Sequence, residues 1–346
     1  MLLSVNYHYV GVEKYPYPGI HSLDVATFMR HVRWLQHRFH LIGIPDLLEI
    51  VDRGFINRPS CLITFDDGLR CHLSVVQQLA RKNGFPVAFY VSGGPLGEQR
   101  ATLVHKLQYV RAHTHPESLR RQLLEFLSLR EINLAEIDLN EARAHYRYDT
   151  SSSAMVKYLL NYIFTEPQRR RFIQERFSQL VPDEARFCRE WYLTADEVRL
   201  MQRQSECIGC HAWTHAPLGM MSSYDCLSEM KRGKKLLEDV VGTSIETISY
   251  PLGNEKAVTR REGDLAQKAG FRAGWTMERE CNLTPSDPML LARIDCNDLP
   301  QVGKAPSFTT HPRWMHVVDG SPSYRKRYIN ERCSSTGGSS RWRGDC

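Results

Sequence analysis

Short apolar runs alternate with amphipathic segments in the first part of the chain. Residues 2–10 predict a strand, and Ser22 then stands as the N-cap of a predicted helix with apolar positions at helical spacing. Residues 61–65 form an apolar run that is too short for a helix and predict a second strand. A helix over 73–79 and a strand over 86–92 follow. The predicted order alternates strand and helix.

The same alternation returns late in the chain. A helical stripe over 227–240 precedes a predicted strand at 245–250, a short helix at 264–269 and strands at 271–276 and 290–295. Strands that alternate with helices predict an α/β fold with a mainly parallel sheet, either open or closed into a barrel. Functional residues in such folds lie at the carboxyl ends of the strands.

The middle and the end of the chain break this rhythm. Residues 96–204 contain long, charged, helix-prone segments and predict a helical insertion, which is either a lid or substrate-selecting subdomain or a structural support. Residues 318–346 are basic and rich in Ser and Gly without periodicity, which predicts a disordered tail. Residues 1–95 and 205–317 are then expected to form one α/β unit.

Composition and charge narrow the class of protein. With 346 residues and 42% hydrophobic content, the chain can bury a sizeable core. The net charge is +6, and the tail 318–346 supplies +3 of it from six basic and three acidic residues. Nothing in this balance resembles the clustered basic stripe of a nucleic-acid-binding protein, so no nucleic-acid partner is predicted.

Targeting signals and cysteine usage bear on the compartment. The first ten residues lack a basic segment, a sustained apolar segment and a small-residue cleavage site, and no apolar stretch reaches the length of a transmembrane helix. Ten cysteines are too few for a disulfide scaffold of this length and predict reduced thiols. A cytoplasmic protein without a transmembrane segment is expected.

Two adjacent carboxylates end the predicted strand 61–65, in the sequence Thr-Phe-Asp-Asp-Gly. Asp66 and Asp67 would face different directions, so one could bind a metal while the other handles a proton. Gly68 allows the backbone to turn tightly beside them. The alternative is an ordinary turn with both acids in water, which the preceding apolar strand disfavours.

Two histidines four residues apart form the second signal. His211 and His215 could both reach one divalent ion, and Asp67 would complete a set of two histidines and one carboxylate with open positions for water and substrate. The same stretch also matches a Cys-x-x-Cys-His pattern through Cys207 and Cys210, which could mean covalent haem or a structural zinc site. The cysteines could equally fill a buried strand.

These motifs together resemble the polysaccharide deacetylase family, the NodB-homology carbohydrate esterases, in the order that this family uses. The resemblance extends over about residues 1–95 and 205–298. It is carried by Thr64–Gly68, His211–His215, Ser249–Gly253, Asn6–Val10 and Pro86–Val91.

The resemblance implies a distorted (β/α) barrel that hydrolyses an N-acetyl or O-acetyl group on a sugar. It implies a divalent metal ion, zinc before cobalt or manganese, with Asp67, His211 and His215 as ligands. Asp66 would be the general base for the water that the metal activates. The backbone N–H of Leu252 would contact the tetrahedral oxyanion.

This sequence departs from the family at two points. The third motif usually begins with an arginine that orients the base, but Ser249 stands there; Arg293 is the hypothetical replacement, and a salt bridge elsewhere is its alternative role. The late Leu-x-His motif, whose histidine is the general acid, is missing. The candidate substitutes are His8, His311 and His316.

Further residues could line the site. Trp213 would either stack on the apolar face of a sugar ring or pack beneath the histidine loop. His105 and Lys106 open the insertion and could face the same site.

The sequence thus predicts a cytoplasmic, metal-dependent deacetylase whose substrate is an acetylated sugar, for example a sugar nucleotide, a lipid-linked sugar or another glycan precursor. Two alternatives remain open. One is a non-catalytic relative that binds metal and carbohydrate, and the other is a metal-dependent amidase that acts on a non-sugar amide.

Overall fold

The computed structural model describes residues 1–128, 150–205 and 207–299. Within these ranges the fold is α/β, as the alternation predicts, and each pairing between its named strands is parallel. The predicted tail 318–346, His311 and His316 lie outside the described residues. The strands are β1 Leu2–Tyr7, β2 His40–Leu41, β3 Ser60–Phe65, β4 Ala88–Val91, β5 Ile208–Cys210, β6 Thr247–Ser249, β7 Ala273–Trp275 and β8 Ile294–Asp295.

The sheet runs in the order β7-β6-β5-β4-β3-β1-β8, and β2 pairs with the beginning of β3. Trp275, at the end of β7, forms a parallel bridge with Leu291, which leads into β8. The two ends of the sheet therefore meet through this segment, and the sheet curls into the distorted barrel that the family resemblance implies.

Strands β1 and β3 are neighbours in the sheet and are the longest of the described strands. All six residues of each strand are buried, which explains why both appear in the sequence as continuous apolar runs rather than as alternating patterns. Their register aligns Leu2 with Ser60 and Tyr7 with Phe65. Both strands consequently end at the same level, and the residues that follow them, His8 and Asp66, meet at one end of the barrel.

The described helices surround the sheet or join its strands. A π-helical turn, His72–Gln77, leads into one of them. The helices are α1 Val25–Gln36, α2 Ile44–Arg53, α3 Gln78–Asn83, α4 Gly93–Gly97, α5 Leu103–His113, α6 Pro116–Ser128, α7 Ser151–Tyr158, α8 Glu166–Leu180, α9 Glu184–Trp191, α10 Ala195–Ser205, α11 Ser223–Val241 and α12 Arg260–Lys268.

Several element ends differ from the sequence predictions. Asp24, and not Ser22, caps α1, because its side chain accepts a hydrogen bond from the Thr27 backbone N–H. The predicted strand 290–295 is reduced to Ile294–Asp295, since a 3-10 turn occupies Pro288–Leu290. Apolar runs near a barrel rim continue into buried turns, so their length overstates the strand.

The helices between β4 and β5 build their own apolar core. Phe126, Phe172 and Phe177 are buried in it together with Tyr9 and Leu69, which follow β1 and β3. This helical segment therefore packs directly on the end of the barrel where the polar motifs lie. Among the described helices, none is long and apolar enough to cross a membrane.

Candidate active site

The backbone after β3 separates the two adjacent carboxylates. The Asp66 backbone N–H donates to the Tyr7 carbonyl at 3.1 Å and so extends the pairing of β1 with β3. Asp67 then adopts a left-handed φ of 81°, and Gly68 follows at 66°. A Cβ on Gly68 would lie 2.8 Å from a Val91 methyl group of β4. Glycine therefore serves both the turn and the close approach, and the two carboxylates point in different directions.

Asp67 faces the two histidines. Its Oδ1 lies 3.5 Å from His211 Nε2 and 3.1 Å from His215 Nε2. One ligand atom from each of the three residues lies within 4.8 Å of the others. Within the described residues Oδ1 is buried and accepts no hydrogen bond of good geometry, which is costly unless a cation compensates it. Two imidazole nitrogens and one carboxylate oxygen suit zinc and other divalent first-row transition metals, so this donor set fits a divalent ion.

The loop after β5 orients the histidines. His211 Nδ1 lies 2.7 Å from the Ser249 carbonyl, and because a carbonyl only accepts, Nδ1 carries a proton and Nε2 is the nitrogen that the neutral ring would offer to a metal. Ala212 and His215 have left-handed φ values of 54° and 62°. Burial is the largest influence on the His215 pKa and lowers it, which favours the neutral form that a metal needs.

The two cysteines stand apart from this cluster. Cys207 and Cys210 are buried, and neither belongs to the group of ligand atoms found among the described residues. Burial raises the pKa of Cys210 to about 12, so its thiol keeps its proton. This arrangement favours the buried-strand interpretation over zinc or haem attachment.

Asp66 is paired with Arg293. Arg293 Nη1 donates to Asp66 Oδ1 at 3.0 Å and Nη2 donates to Oδ2 at 2.8 Å, with both side chains buried. Burial by itself raises the pKa of Asp66, but the Arg293 guanidinium and then His211 outweigh it and lower the pKa to about 2. Nη2 also donates to Ser249 Oγ at 2.8 Å. An arginine from β7–β8 thus reaches the position where the third motif usually carries one.

The second oxygen of Asp67 faces two other histidines. His105 Nε2, from α5, lies 3.1 Å from Oδ2, and His8 Nε2 lies 3.8 Å from the same atom. His8 is 41% exposed, whereas His105 is completely buried. The contact of His105 with Asp67 has no specific sequence signal, since its only hint is a position at the beginning of the helical segment.

The remaining predicted site residues differ in exposure. The Trp213 ring is buried against Gly93 and Gly97, and the Arg232 guanidinium lies 3.7 Å over it. That environment favours packing beneath the histidine loop over stacking on a sugar. Leu252 follows β6 with a left-handed φ of 63° and is 47% exposed. Lys106 points into the helical segment and pairs with Glu184.

Part of the sequence matches a known protein family. The family model described as polysaccharide deacetylase matches residues 172–274. This match includes the two histidines and the motif at Ser249–Gly253, and it excludes the two aspartates. No curated protein matches the sequence.

Solved structures share the fold. The Streptococcus pyogenes deacetylase PplD, solved in complex with acetate, is 12% identical with a TM-score of 0.51, over 85% of this chain and 91% of that one. BC0361, a polysaccharide deacetylase from Bacillus cereus, is 14% identical with a TM-score of 0.50, over 85% of this chain and 64% of that one. At these identities the likeness concerns the fold. The family match over residues 172–274 and the shared fold both agree with the resemblance to polysaccharide deacetylases that the motifs carry.

Proposed function

We propose that this protein is a metal-dependent deacetylase that hydrolyses an acetyl group on an acetylated sugar or glycan precursor. The observation that carries the proposal is the buried Asp67 Oδ1, which faces two imidazole nitrogens while Asp66 is held beside it by Arg293. Asp67, His211 and His215 would hold the ion, for which zinc is the first candidate and cobalt or manganese are the others. When bound, such an ion polarises an acyl carbonyl and lowers the pKa of a water molecule.

Asp66 is proposed as the general base. Its low pKa keeps it ionised at neutral pH, and its two bonds to Arg293 fix the carboxylate plane so that the free lone pairs stay oriented toward a water molecule.

A second group must protonate the leaving amine or alcohol. His8 is the proposed proton donor because it lies at the same end of the barrel, near Asp67, with part of its ring open to solvent. The backbone N–H of Leu252 is proposed to contact the oxyanion. Leu252 lies in the turn that follows β6 and has a left-handed backbone conformation.

The substrate class is the finer part of the proposal. The substrate proposed here is an acetylated sugar nucleotide, a lipid-linked sugar or another glycan precursor. The contact of Arg293 with Asp66 weighs against the non-catalytic alternative, because the arginine missing from the third motif has a substitute. Hydrolysis assays on a panel of linear and cyclic amides would distinguish a sugar deacetylase from the alternative, an amidase that acts on a non-sugar amide.

Acetate release from a panel of acetylated sugars tests the proposal. Chelation and Asp67→Ala are expected to abolish release, while Asp66→Asn keeps metal binding and lowers kcat by about 100-fold to 10,000-fold, the usual contribution of a general base. Asp225→Asn, in the exposed first turn of α11, is the matched control and should leave release unchanged. Equal rates before and after chelation would overturn the mechanism.

A further inference from the structure

His105 connects the helical segment to the proposed metal site, and the inference below rests on that proposed function. The ring is completely buried on α5 and donates toward Asp67 Oδ2 from Nε2 at 3.1 Å. Oδ2 is the oxygen on the far side from the two histidines, which face Oδ1. His105 lies outside the three-residue group of ligand atoms. His105 therefore contacts the carboxylate oxygen that does not face His211 and His215.

The other ring nitrogen of His105 has partners of its own. Nδ1 lies 2.5 Å from the Tyr192 hydroxyl and 2.9 Å from Thr102 Oγ1. The Thr102 backbone N–H in turn donates to the Tyr192 hydroxyl oxygen at 3.2 Å. Each of these groups is buried, and each comes from the helical segment between β4 and β5.

The chemistry of these groups orients the chain of hydrogen bonds. An ionised carboxylate only accepts, so His105 Nε2 carries a proton, and Nδ1 is the nitrogen that can accept a hydrogen bond. The Tyr192 O–H can supply that bond, because its oxygen already accepts from Thr102. Every donor then points toward Asp67. This ordered arrangement fixes the tautomer of His105 and the direction of the Asp67 carboxylate.

We propose that His105 and Tyr192 are positioning residues that hold Asp67 so that Oδ1 faces the cation. The helical segment would then be required for metal affinity and not only for covering the site. Partners that hydrogen-bond to a metal ligand typically contribute 10-fold to 100-fold in metal affinity. The rigid ring is the reason, since Asp67 would otherwise rotate and present either oxygen.

Metal titration of full-length variants tests this inference. Zn²⁺ or Co²⁺ affinity would be measured by competition with a chromophoric chelator, with thermal unfolding of the metal-free protein as a check on folding. His105→Leu removes the donor and is expected to weaken affinity by about 10-fold to 100-fold. His105→Gln keeps an N–H at the reach of Nε2 and should restore affinity to within a few-fold of wild type. Tyr192→Phe should lose a few-fold.

Two further variants serve as controls for the metal titration. His113→Leu, on the same helix but bonded to the Tyr109 carbonyl, should bind metal as the wild type does. In His105→Asn the side chain is too short to reach Asp67, so this variant should lose metal affinity, whereas His105→Gln should keep it. If His105→Leu fails to fold, His105→Asn takes its place in the comparison. Equal affinities for the Gln and Asn variants would overturn the positioning role. A wild-type protein with no affinity beyond that of Asp67→Ala would instead refute the metal site itself.

Discussion

Arg293 uses almost every donor of its guanidinium inside the barrel. Nη1 and Nη2 bind Asp66, Nη2 also binds Ser249, and Nε donates to the Thr276 carbonyl at 3.2 Å. Arginine suits this role because its planar fork matches a carboxylate, whereas lysine offers a single charged point. The residue is separated from Asp66 by 227 positions. No local sequence pattern could have revealed that contact. Arg293 could be suggested as a partner of Asp66 only because the third motif lacks its usual arginine.

Replacing Arg293 tests the pairing. Arg293→Ala leaves a buried carboxylate without its partner and should lower the free energy of unfolding by about 3–5 kcal/mol. Arg293→Lys should fold better but lose activity, since it cannot keep both bonds to Asp66. Urea unfolding and acetate release would measure the two effects. The control Arg186→Ala breaks an exposed pair with Glu190 and should leave the free energy of unfolding nearly unchanged, because solvent screens such pairs. An equally small loss for Arg293→Ala would contradict the account.

His72 predicts a dependence of stability on pH. It is buried between Phe65 and Phe89, and burial lowers its pKa to about 4, while its hydrogen bond to the His8 carbonyl opposes the shift. In the unfolded chain the pKa is about 6.5. Below that value the unfolded chain binds the proton first, so stability falls as the pH falls from about 6.5 toward 4.

The loss assigned to His72 approaches about 3 kcal/mol below pH 4, because its pKa is about 4 in the folded protein and about 6.5 in the unfolded chain. His72→Phe fits the aromatic surroundings and should remove this part of the pH dependence. The free energy of unfolding of wild type and variant, measured at several pH values, checks it. Parallel curves for the two proteins would show that His72 does not titrate as described.

At the scale of elements, the strands were predictable from the sequence, whereas the backbone conformations of the turns that follow them were not. The continuous apolar runs of β1 and β3 predict buried parallel strands, and the register of these strands brings His8 and Asp66 to one level. The motif residues Asp67, His211 and His215 were identified from the sequence and lie together in the structure. The left-handed conformations of Asp67 and His215 were not predictable, because they depend on neighbouring strands.

Gly68 provides a test at this scale. Gly68→Ala must place a Cβ in a left-handed turn and 2.8 Å from Val91, so it should destabilise the fold and displace Asp67. Gly84→Ala is the matched control, since Gly84 has the same φ of 66° but nothing within 4 Å of its Cβ position. The free energy of unfolding of the control should fall by only about 1–2 kcal/mol, the cost of placing alanine in a left-handed conformation. Metal affinity should fall for Gly68→Ala alone, and equal behaviour of the two variants would exclude a steric role for Val91.

At the scale of the whole molecule, the site joins three distant parts of the chain. The barrel supplies the carboxylates and the two histidines, the segment after β7 supplies Arg293, and the helices between β4 and β5 supply His105. The sequence predicted the barrel and a helical insertion, but the division into 1–95, 96–204 and 205–317 stays a prediction. The contact of the helices with Asp67 could not be foreseen, because it depends on how their apolar core packs on Tyr9 and Leu69.

The most direct test of the account is the number of divalent ions bound per chain, measured by titration calorimetry with Zn²⁺ on the metal-free protein. Wild type should bind one ion at high affinity, and Asp67→Ala should lose that site while Asp66→Asn keeps it. If Asp67→Ala binds the ion as tightly as wild type, then Asp67, His211 and His215 do not form the metal centre and the proposed chemistry fails.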